Sequence, residues 1–343
     1  MTTSRREVLW VVGLAAVGGM LVPGQAGADR LRILDGPAAA GLGADRSPEL
    51  ERLVGMLTLG DTRQRGALSI VWLHALAAAP ALDVATLDEA HAAGSLVVTE
   101  RERAAVPDLI VDNRGKRAVL LLAGEILLGG KQHRVLAEDV LLPPRSGPRS
   151  IGVYCVEAGR WSGTSERLES KGTFAPPRLR SEVLDRADQQ RVWSAVSQYA
   201  ARAAAASPTQ SYEAVVEQPE VREHLRHVED DLGRPPAGSV GAAAFTGARL
   251  AGLDVFQNAS LFGRLWPKLL RAHAVETHRR HVQAGVGPSE HERRLHAALG
   301  ATQRAHGGSR RNVGEGAIFE FRVDGLRGAA LTVRDQVLHL AVV

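Results

Sequence analysis

Two short segments concentrate the side chains that could bind a ligand or move a proton. In the first, an apolar run ends at Glu125, and the pair Gly129-Gly130 then leads into Lys131, Gln132 and Arg134. Glycines allow left-handed backbone and the close approach of a ligand to N–H groups, while Lys and Arg bind phosphate or carboxylate. The second segment holds an acid and an arginine three residues apart. The candidate ligand-binding residues are therefore Glu125, Lys131, Gln132, Arg134, Glu157 and Arg160.

Glu125 and Glu157 are also the candidate catalytic residues, because a carboxylate in a cleft can serve as a general base while Lys131 and Arg134 stabilise negative charge. This hypothesis requires both glutamates to meet in one cleft. The alternative is that each glutamate is closed off in an ion pair with a nearby Lys or Arg. Between the two segments, Cys155 stands two residues before an acid, which raises a thiol's pKa, so the pattern favours a buried cysteine over a nucleophile.

No metal or cofactor is predicted. A single cysteine excludes an internal disulfide and cysteine-built metal sites. The histidine pairs His224/His227 and His278/His281 have a spacing that could share a metal, but no carboxylate completes a known zinc motif. The chain also lacks a phosphate-binding P-loop, a dinucleotide-binding glycine motif after a strand and a serine-nucleophile elbow.

The elements that must position these residues change character along the chain. From residue 69 to residue 156, short apolar runs recur about every ten residues between turn clusters, which predicts antiparallel strands. After Pro176-Pro177, helical periodicity appears over 182–206, 220–232 and 260–284. A strand pair at 240–256 and an alternating C-terminal segment at 316–343 return to strand. We therefore predict an α+β fold: an antiparallel β-sandwich or barrel-like core with several packed helices in the C-terminal half, forming a single domain over 67–343.

The N-terminus is typical of an export signal. Arg5-Arg6 precede an apolar stretch at 8–22 that is too short to span a bilayer, and Ala26-Gly27-Ala28 suits signal cleavage. The adjacent arginines resemble a twin-arginine signal. We predict a signal peptide over 1–28, a periplasmic or extracellular location and a variable leader over 29–66. An uncleaved anchor remains an alternative, and no membrane contact is predicted beyond this signal.

The charge distribution argues against a nucleic-acid-binding surface. The net charge is +4, and residues 29–170 carry 17 positive and 19 negative side chains, which leaves the positive excess in the C-terminal half. No block of five like charges occurs. Charges spread in this way are typical of solvated helix faces, so no nucleic-acid partner is predicted. The sequence does not address the oligomeric state.

Several ordered motifs together resemble a known family, the ARG and rhodanese-phosphatase-superfamily-associated protein domain. The resemblance extends over roughly 67–343 and is carried by Thr86-Leu87-Asp88-Glu89-Ala90, Leu122-Ala123-Gly124-Glu125, Gly130-Lys131-Gln132-x-Arg134, Cys155-Val156-Glu157-x-Gly159-Arg160-Trp161, Trp266-x-Lys268-Leu269 and Leu338-His339-Leu340. The function of this family is unknown. Its name implies a link to phosphorylated or ADP-ribose-like small molecules.

Three functions follow as hypotheses. The first is a binding or sensor module that uses the six candidate residues for a small anionic or polar ligand. The second is a hydrolase or transferase with a glutamate base and Lys/Arg stabilisation. The third is a structural or interaction protein in which the same residues only support the fold.

Overall fold

The computed structural model describes residues 43–77, 81–100, 107–160, 162, 167–280 and 287–343. The predicted signal peptide and the leader up to residue 42 lie outside the described residues, as do Trp161 and His281. Within the described residues, no helix is both long and apolar enough to cross a membrane.

Eight helices are described. They are α1 (Pro48–Gly55), α2 (Leu87–Ala92), α3 (Pro177–Leu184), α4 (Gln189–Ala203), α5 (Glu213–Val216), α6 (Pro219–Leu232), α7 (Ala259–Thr277) and α8 (Pro288–Gln303). Local sequence explains several of their starts. The sequence Thr86-x-x-Glu89 predicts a capping box at the start of α2, and that box is present: the Thr86 hydroxyl accepts from the Glu89 backbone N–H at 3.3 Å, and the Glu89 carboxylate accepts from the Thr86 N–H at 3.1 Å.

Seventeen strands are described. They are β1 (Leu57–Arg65), β2 (Leu68–Ala75), β3 (Val84–Thr86), β4 (Leu96–Thr99), β5 (Asp108–Asn113), β6 (Ala118–Leu121), β7 (Glu125–Gly129), β8 (Arg134–Leu136), β9 (Val140–Leu142), β10 (Gly147–Cys155), β11 (Leu168–Phe174), β12 (Ser239–Thr246), β13 (Arg249–Phe256), β14 (Gly307–Arg311), β15 (Ala317–Val323), β16 (Leu326–Val333) and β17 (Gln336–Val342).

The strands form three sheets. An eight-stranded sheet has the order β1-β2-β12-β13-β17-β16-β15-β14, a six-stranded sheet the order β11-β7-β8-β10-β5-β4, and a small sheet the order β3-β6-β9. All pairs are antiparallel except β3 with β6. The predicted α+β class with sandwich-like antiparallel sheets and packed helices is confirmed.

Helix α7 lies at the junction of the two large sheets, since it packs against β12 and β13 of one and β11 of the other. Its apolar face buries Phe262 and Trp266, and Trp266 meets Trp72 of β2 edge-to-face, with ring centroids 4.9 Å apart. The helix continues through Pro267 rather than starting there. This face is core, as its spacing predicts, and it brings Lys268 on the same helix into the interior.

The predicted boundary at residue 67 falls inside the eight-stranded sheet. Strand β1 pairs with β2 over most of its length, and α1 packs against α8 and β17. Ser47 caps α1, and Pro48 begins it. Sequence reasoning missed β1 because it is an edge strand whose second half is polar and exposed, so it contains no apolar run. Elements that pack on this sheet therefore lie before residue 67.

Candidate functional site

Glu125 lies in a closed, buried ion-pair network. Its carboxylate is 2.5 Å from the Lys268 ammonium and also accepts from the Leu122 backbone N–H at 2.8 Å. Lys268 is equally 2.5 Å from Asp88, which accepts in turn from the Ser170 hydroxyl at 2.5 Å. Strand β7, helix α7, the start of α2 and strand β11 are thereby joined at one point. Asp88 is about one-third exposed, whereas Glu125 and Lys268 are buried.

Burial and charge act in opposite directions on this network. Burial raises the pKa of Glu125, and the nearby Lys268 offsets only part of that effect. Burial also opposes the charged form of Lys268, but the carboxylates of Glu125 and Asp88 outweigh it and raise the pKa of the ammonium. At Asp88 burial is again outweighed, by Lys268 and the Ser170 hydroxyl, and the pKa falls. Lys268 is therefore a firmly charged cation between two acids.

A second network contains the residues that follow the glycine pair. Both glycines have positive φ, as a tight turn requires. The Arg134 guanidinium donates to Glu100 at 3.2 Å and to the Gln132 side-chain oxygen at 3.3 Å. The Lys131 backbone N–H also donates to Glu100, at 3.0 Å. Arg134 and Gln132 are buried, so this segment is tied down by its own polar side chains.

Glu157 belongs to this second network. Its carboxylate accepts from Arg160 at 2.7–2.9 Å and from the His133 backbone N–H at 3.1 Å, while its carbonyl accepts from Gln132 at 2.7 Å. Arg160 also donates to the Gly130 carbonyl at 2.9 Å. Burial raises the pKa of Glu157, but the hydrogen bonds from Arg160 and other donors outweigh it and lower the pKa. This carboxylate is therefore ionised and held by several donors.

The structure thus brings together five of the six predicted residues and separates the sixth. Gln132, Arg134, Glu157, Arg160 and the backbone of Lys131 share one network. Among the described residues, the partners of Glu125 do not overlap with those of Glu157. A role of any of the six in ligand binding stays a prediction. Cys155 is fully buried, as expected, and burial raises its pKa to about 11.

A third network, at the centre of the fold, was missed by sequence reasoning. His339 on β17 lies between two acids, with Nδ1 2.6 Å from Asp139 and Nε2 3.0 Å from Asp254 on β13. Arg180 on α3 donates to Asp254 at 2.6 Å and to the Ala123 carbonyl at 3.1 Å, and the Ala123 N–H donates to Asp139 at 2.8 Å. Residues 122–125 therefore connect this network to that of Glu125.

The central network carries balanced charges in the interior. Burial alone would lower the pKa of His339, but Asp139 and Asp254 raise it to about 9. Burial likewise opposes ionisation of Asp254, yet Arg180 and His339 hold its pKa far below the usual range. At His273 on α7, burial outweighs the attraction of Asp254 and lowers the pKa to about 4. The sequence feature that could have revealed this network is an ionisable residue inside an apolar run, as at Asp254 and His339.

A half-open cavity of about 280 Å³ lies between β11, α5, α6 and α7. Apolar side chains form part of its lining: Leu128, Phe174, Tyr212, Val216, Leu225, Ala272 and Val275. Its charged residues are Lys171, Arg271, Glu213 and Glu217, and Lys171 lies 3.4 Å from Glu213. None of the six predicted residues lines this cleft. Sequence reasoning had no signal for it, because its charges come from three separate segments.

A bulge in β11 shapes the charged side of the cleft. The pairing of β11 with β7 shifts register between Ser170 and Thr173, and Gly172 has a φ of +69°. A Cβ at Gly172 would stand 3.5 Å from the Arg271 guanidinium. Arg271 therefore lies against the bulge at Gly172, the residue that follows Lys171 in the chain. Two cations are brought to one side of a cavity whose other charged residues are Glu213 and Glu217.

The buried networks hold two walls of this cleft. On one side, Ser170 at the bulge is bonded to Asp88. On the other, His133 lies with Nε2 3.7 Å from Glu213 and Nδ1 3.1 Å from the Ser211 hydroxyl. Burial lowers the pKa of His133 despite the neighbouring carboxylates of Glu157 and Glu213, so its imidazole is neutral at neutral pH. The sequence motifs thus support the cleft without lining it.

The described residues contain no group of three or more His, Cys, Asp or Glu side chains arranged to bind a metal ion. His224 and His278 have ring centroids 5.5 Å apart, but His224 Nε2 is 3.1 Å from the Ala274 carbonyl oxygen and engaged there. Nothing in the geometry of these histidines points to a metal site.

Comparison with known proteins identifies the family. The family model for the ARG and rhodanese-phosphatase-superfamily-associated protein domain matches residues 56–343, a range that runs from the start of β1 to the end of β17. No curated protein and no solved structure matches the chain. The matched range covers well over half of the chain and includes all three sheets. The protein belongs to the ARG and rhodanese-phosphatase-superfamily-associated protein domain family.

Proposed function

We propose that this protein is a binding module for a small anionic organic ligand and that the cleft beside the β11 bulge is its binding site. One observation carries the proposal: the bulge places Lys171 and Arg271 together at a cavity of about 280 Å³ whose remaining lining is largely apolar. Ligand pockets of roughly 300 Å³ and upward typically combine an apolar lining with a few placed polar groups. A sugar phosphate or a mononucleotide-sized anion is of suitable size.

Both cations are available to a ligand. Lys171 pairs with Glu213 at 3.4 Å and Arg271 with Glu229 at 3.4 Å, and both cationic side chains are more than 40% exposed. Ion pairs this exposed contribute at most about 1 kcal/mol, because water solvates both partners well. A ligand anion that contacts both cations at once replaces two weak interactions with stronger ones.

The six residues predicted from the sequence take a supporting role in this proposal. Their networks are buried and hydrogen-bonded, and they connect to the cleft through Ser170 and Glu213. Walls held in this way reduce the ordering that a ligand must impose, which favours affinity. The hydrolase or transferase alternative needs a glutamate able to reach substrate. Since Glu125 and Glu157 are each enclosed by cations and N–H donors, binding is the better-supported function.

Ligand screening tests the proposal. Thermal-shift and calorimetric titrations with ADP-ribose, nucleotides and sugar phosphates should identify an anion that stabilises the protein. Lys171→Ala and Arg271→Ala should abolish that shift. The matched control is Arg293→Ala on α8, an exposed arginine paired with Glu290 outside the cleft. The proposal fails if no anion binds, or if Arg271→Ala and Arg293→Ala behave alike. Lys131→Ala tests direct ligand binding by the glycine-turn segment in the same titrations.

We also propose that the protein is exported by a twin-arginine-type signal, on the strength of the pattern in residues 1–28. Cell fractionation of the full chain should recover a shortened form outside the cytoplasm. Replacing both arginines, Arg5→Lys with Arg6→Lys, should retain the full-length form inside. Unchanged fractionation of the double variant would contradict this route, and membrane retention of the full-length protein would indicate an uncleaved anchor.

A further inference from the structure

Glu213 connects the cleft to the buried networks. It is the first residue of α5, and its backbone N–H donates to the Ser211 hydroxyl at 3.1 Å, which fixes its position. One carboxylate oxygen lies 3.4 Å from the Lys171 ammonium, and the other lies 3.7 Å from His133 Nε2. About a quarter of the side chain is exposed. The carboxylate therefore stands between a cation of the cleft and a buried imidazole.

Any anion that binds Lys171 competes with Glu213. Displacing the carboxylate costs the same for every ligand, namely one partly exposed ion pair. The gain, in contrast, grows with the charge of the ligand, since Arg271 lies at the same bulge and adds a second cation. A singly charged group replaces one anion by another with little net gain. For a doubly charged group, the energy gained from the two cations exceeds the cost of displacing Glu213.

The displaced carboxylate has another polar partner close by. His133 faces Glu213 through Nε2, while its Nδ1 is held by Ser211. Glu213 can therefore turn from Lys171 without facing an apolar surface. Glu217, the other acid of the cleft, differs: it pairs with Arg222 at 3.7 Å on the exposed surface.

We infer that Glu213 sets an affinity threshold for anions in the cleft. A ligand with a doubly charged, phosphate-type group passes this threshold, and a singly charged carboxylate or sulfate ester does not. This inference rests on the proposed binding function and adds the charge class of the ligand and the residue that raises the threshold.

Two probes of the same shape test the threshold. Phenyl phosphate is mainly a dianion at pH 7.5, because its second ionisation has a pKa near 6, whereas phenyl sulfate is a monoanion with the same ring and a tetrahedral head group. In calorimetric titrations of the full chain, phenyl phosphate should bind at least about tenfold tighter than phenyl sulfate. Glu213→Gln should tighten both by roughly threefold or more and bring phenyl sulfate into the measurable range. Glu290→Gln on α8 is the matched control, because Glu290 pairs with Arg293 outside the cleft, and it should leave both affinities unchanged.

The outcomes separate the two proposals. Equal affinity for the two probes, or a Glu213→Gln variant that binds no tighter, overturns the inference about Glu213. In that case, loss of phenyl phosphate binding in the Lys171→Ala variant would still support the cleft as the binding site. If neither probe binds while a larger anion does, the inference alone fails. If no anion binds the wild type or Glu213→Gln, the binding function fails as well. Thermal unfolding of each variant confirms that it is folded.

Discussion

Charged side chains occupy two contrasting regions of this protein. At the centre, His339, Asp139, Asp254 and Arg180 are buried and bonded to one another. Around the cleft, charged residues such as Lys171 are solvated and weakly paired. Both regions combine acidic with basic side chains, so the sign of a charge does not assign its role. Burial and the number of close partners distinguish charges that support the fold from those that can meet a ligand.

The largest expected difference between the regions is in stability. Asp254→Ala removes the acid between Arg180 and His339 and leaves two buried cations short of a partner. Breaking a buried pair in this way should lower the free energy of unfolding by about 3–5 kcal/mol. Urea denaturation measures the change, with Lys171→Ala as the comparison from the cleft. A loss below about 1 kcal/mol would show that the central network contributes little to stability.

A smaller effect is expected where one partner can adapt by gaining a proton. Lys268→Met leaves Glu125 and Asp88 without their ammonium, but burial already raises the pKa of Glu125, so the carboxyl can become neutral. The expected loss is about 2–3 kcal/mol. Glu125→Gln should lower the free energy of unfolding less in the Lys268→Met variant than in the wild type. A double-mutant cycle should give a coupling of about 1–2 kcal/mol between the two residues. Strict additivity would mean that the two residues do not interact.

The pH dependence of stability should follow the centre and not the cleft. The pKa of His339 rises from 6.5 to about 9 on folding, so its contribution is complete below pH 6.5 and is lost as the pH rises through 9. The pKa of His273 falls to about 4, so the folded protein resists protonation and loses stability as the pH drops from 6.5 towards 4. Each limb should amount to on the order of 3 kcal/mol, with a maximum of stability near pH 6–7.

Denaturation midpoints from pH 4 to pH 10 check this profile, and Lys171→Ala should shift the curve without changing its shape. A midpoint that rises steadily above pH 7 would contradict the charged state assigned to His339.

The smallest expected effect on stability belongs to the cleft itself. Arg271→Ala removes a guanidinium that is 43% exposed and pairs at 3.4 Å with Glu229. Unfolding free energy should change by less than about 0.5–1 kcal/mol, although ligand binding is lost. Thermal unfolding without ligand measures this. A large loss of stability would place Arg271 with the structural charges and weaken the contrast between the regions.

Local patterns in the sequence predicted more of the fold than of the site. The capping box at Thr86 is confirmed, as are the β12–β13 pair and the C-terminal strands, because each depends on neighbouring residues. Strand β1 was missed because its polar second half follows the sheet edge. The partner of Glu125 was also missed, because Lys268 is 143 residues away in the chain.

The sequence by itself determined the family, the α+β class and a set of charged residues at turns and within apolar runs. It could show that Glu157 and Arg160 stand close enough to pair, since three residues separate them. Tertiary structure alone decided which other charges meet, and that the open cavity lies beside these motifs. The physical reason is that a cavity and its charges arise where distant segments pack, and local periodicity does not encode such contacts.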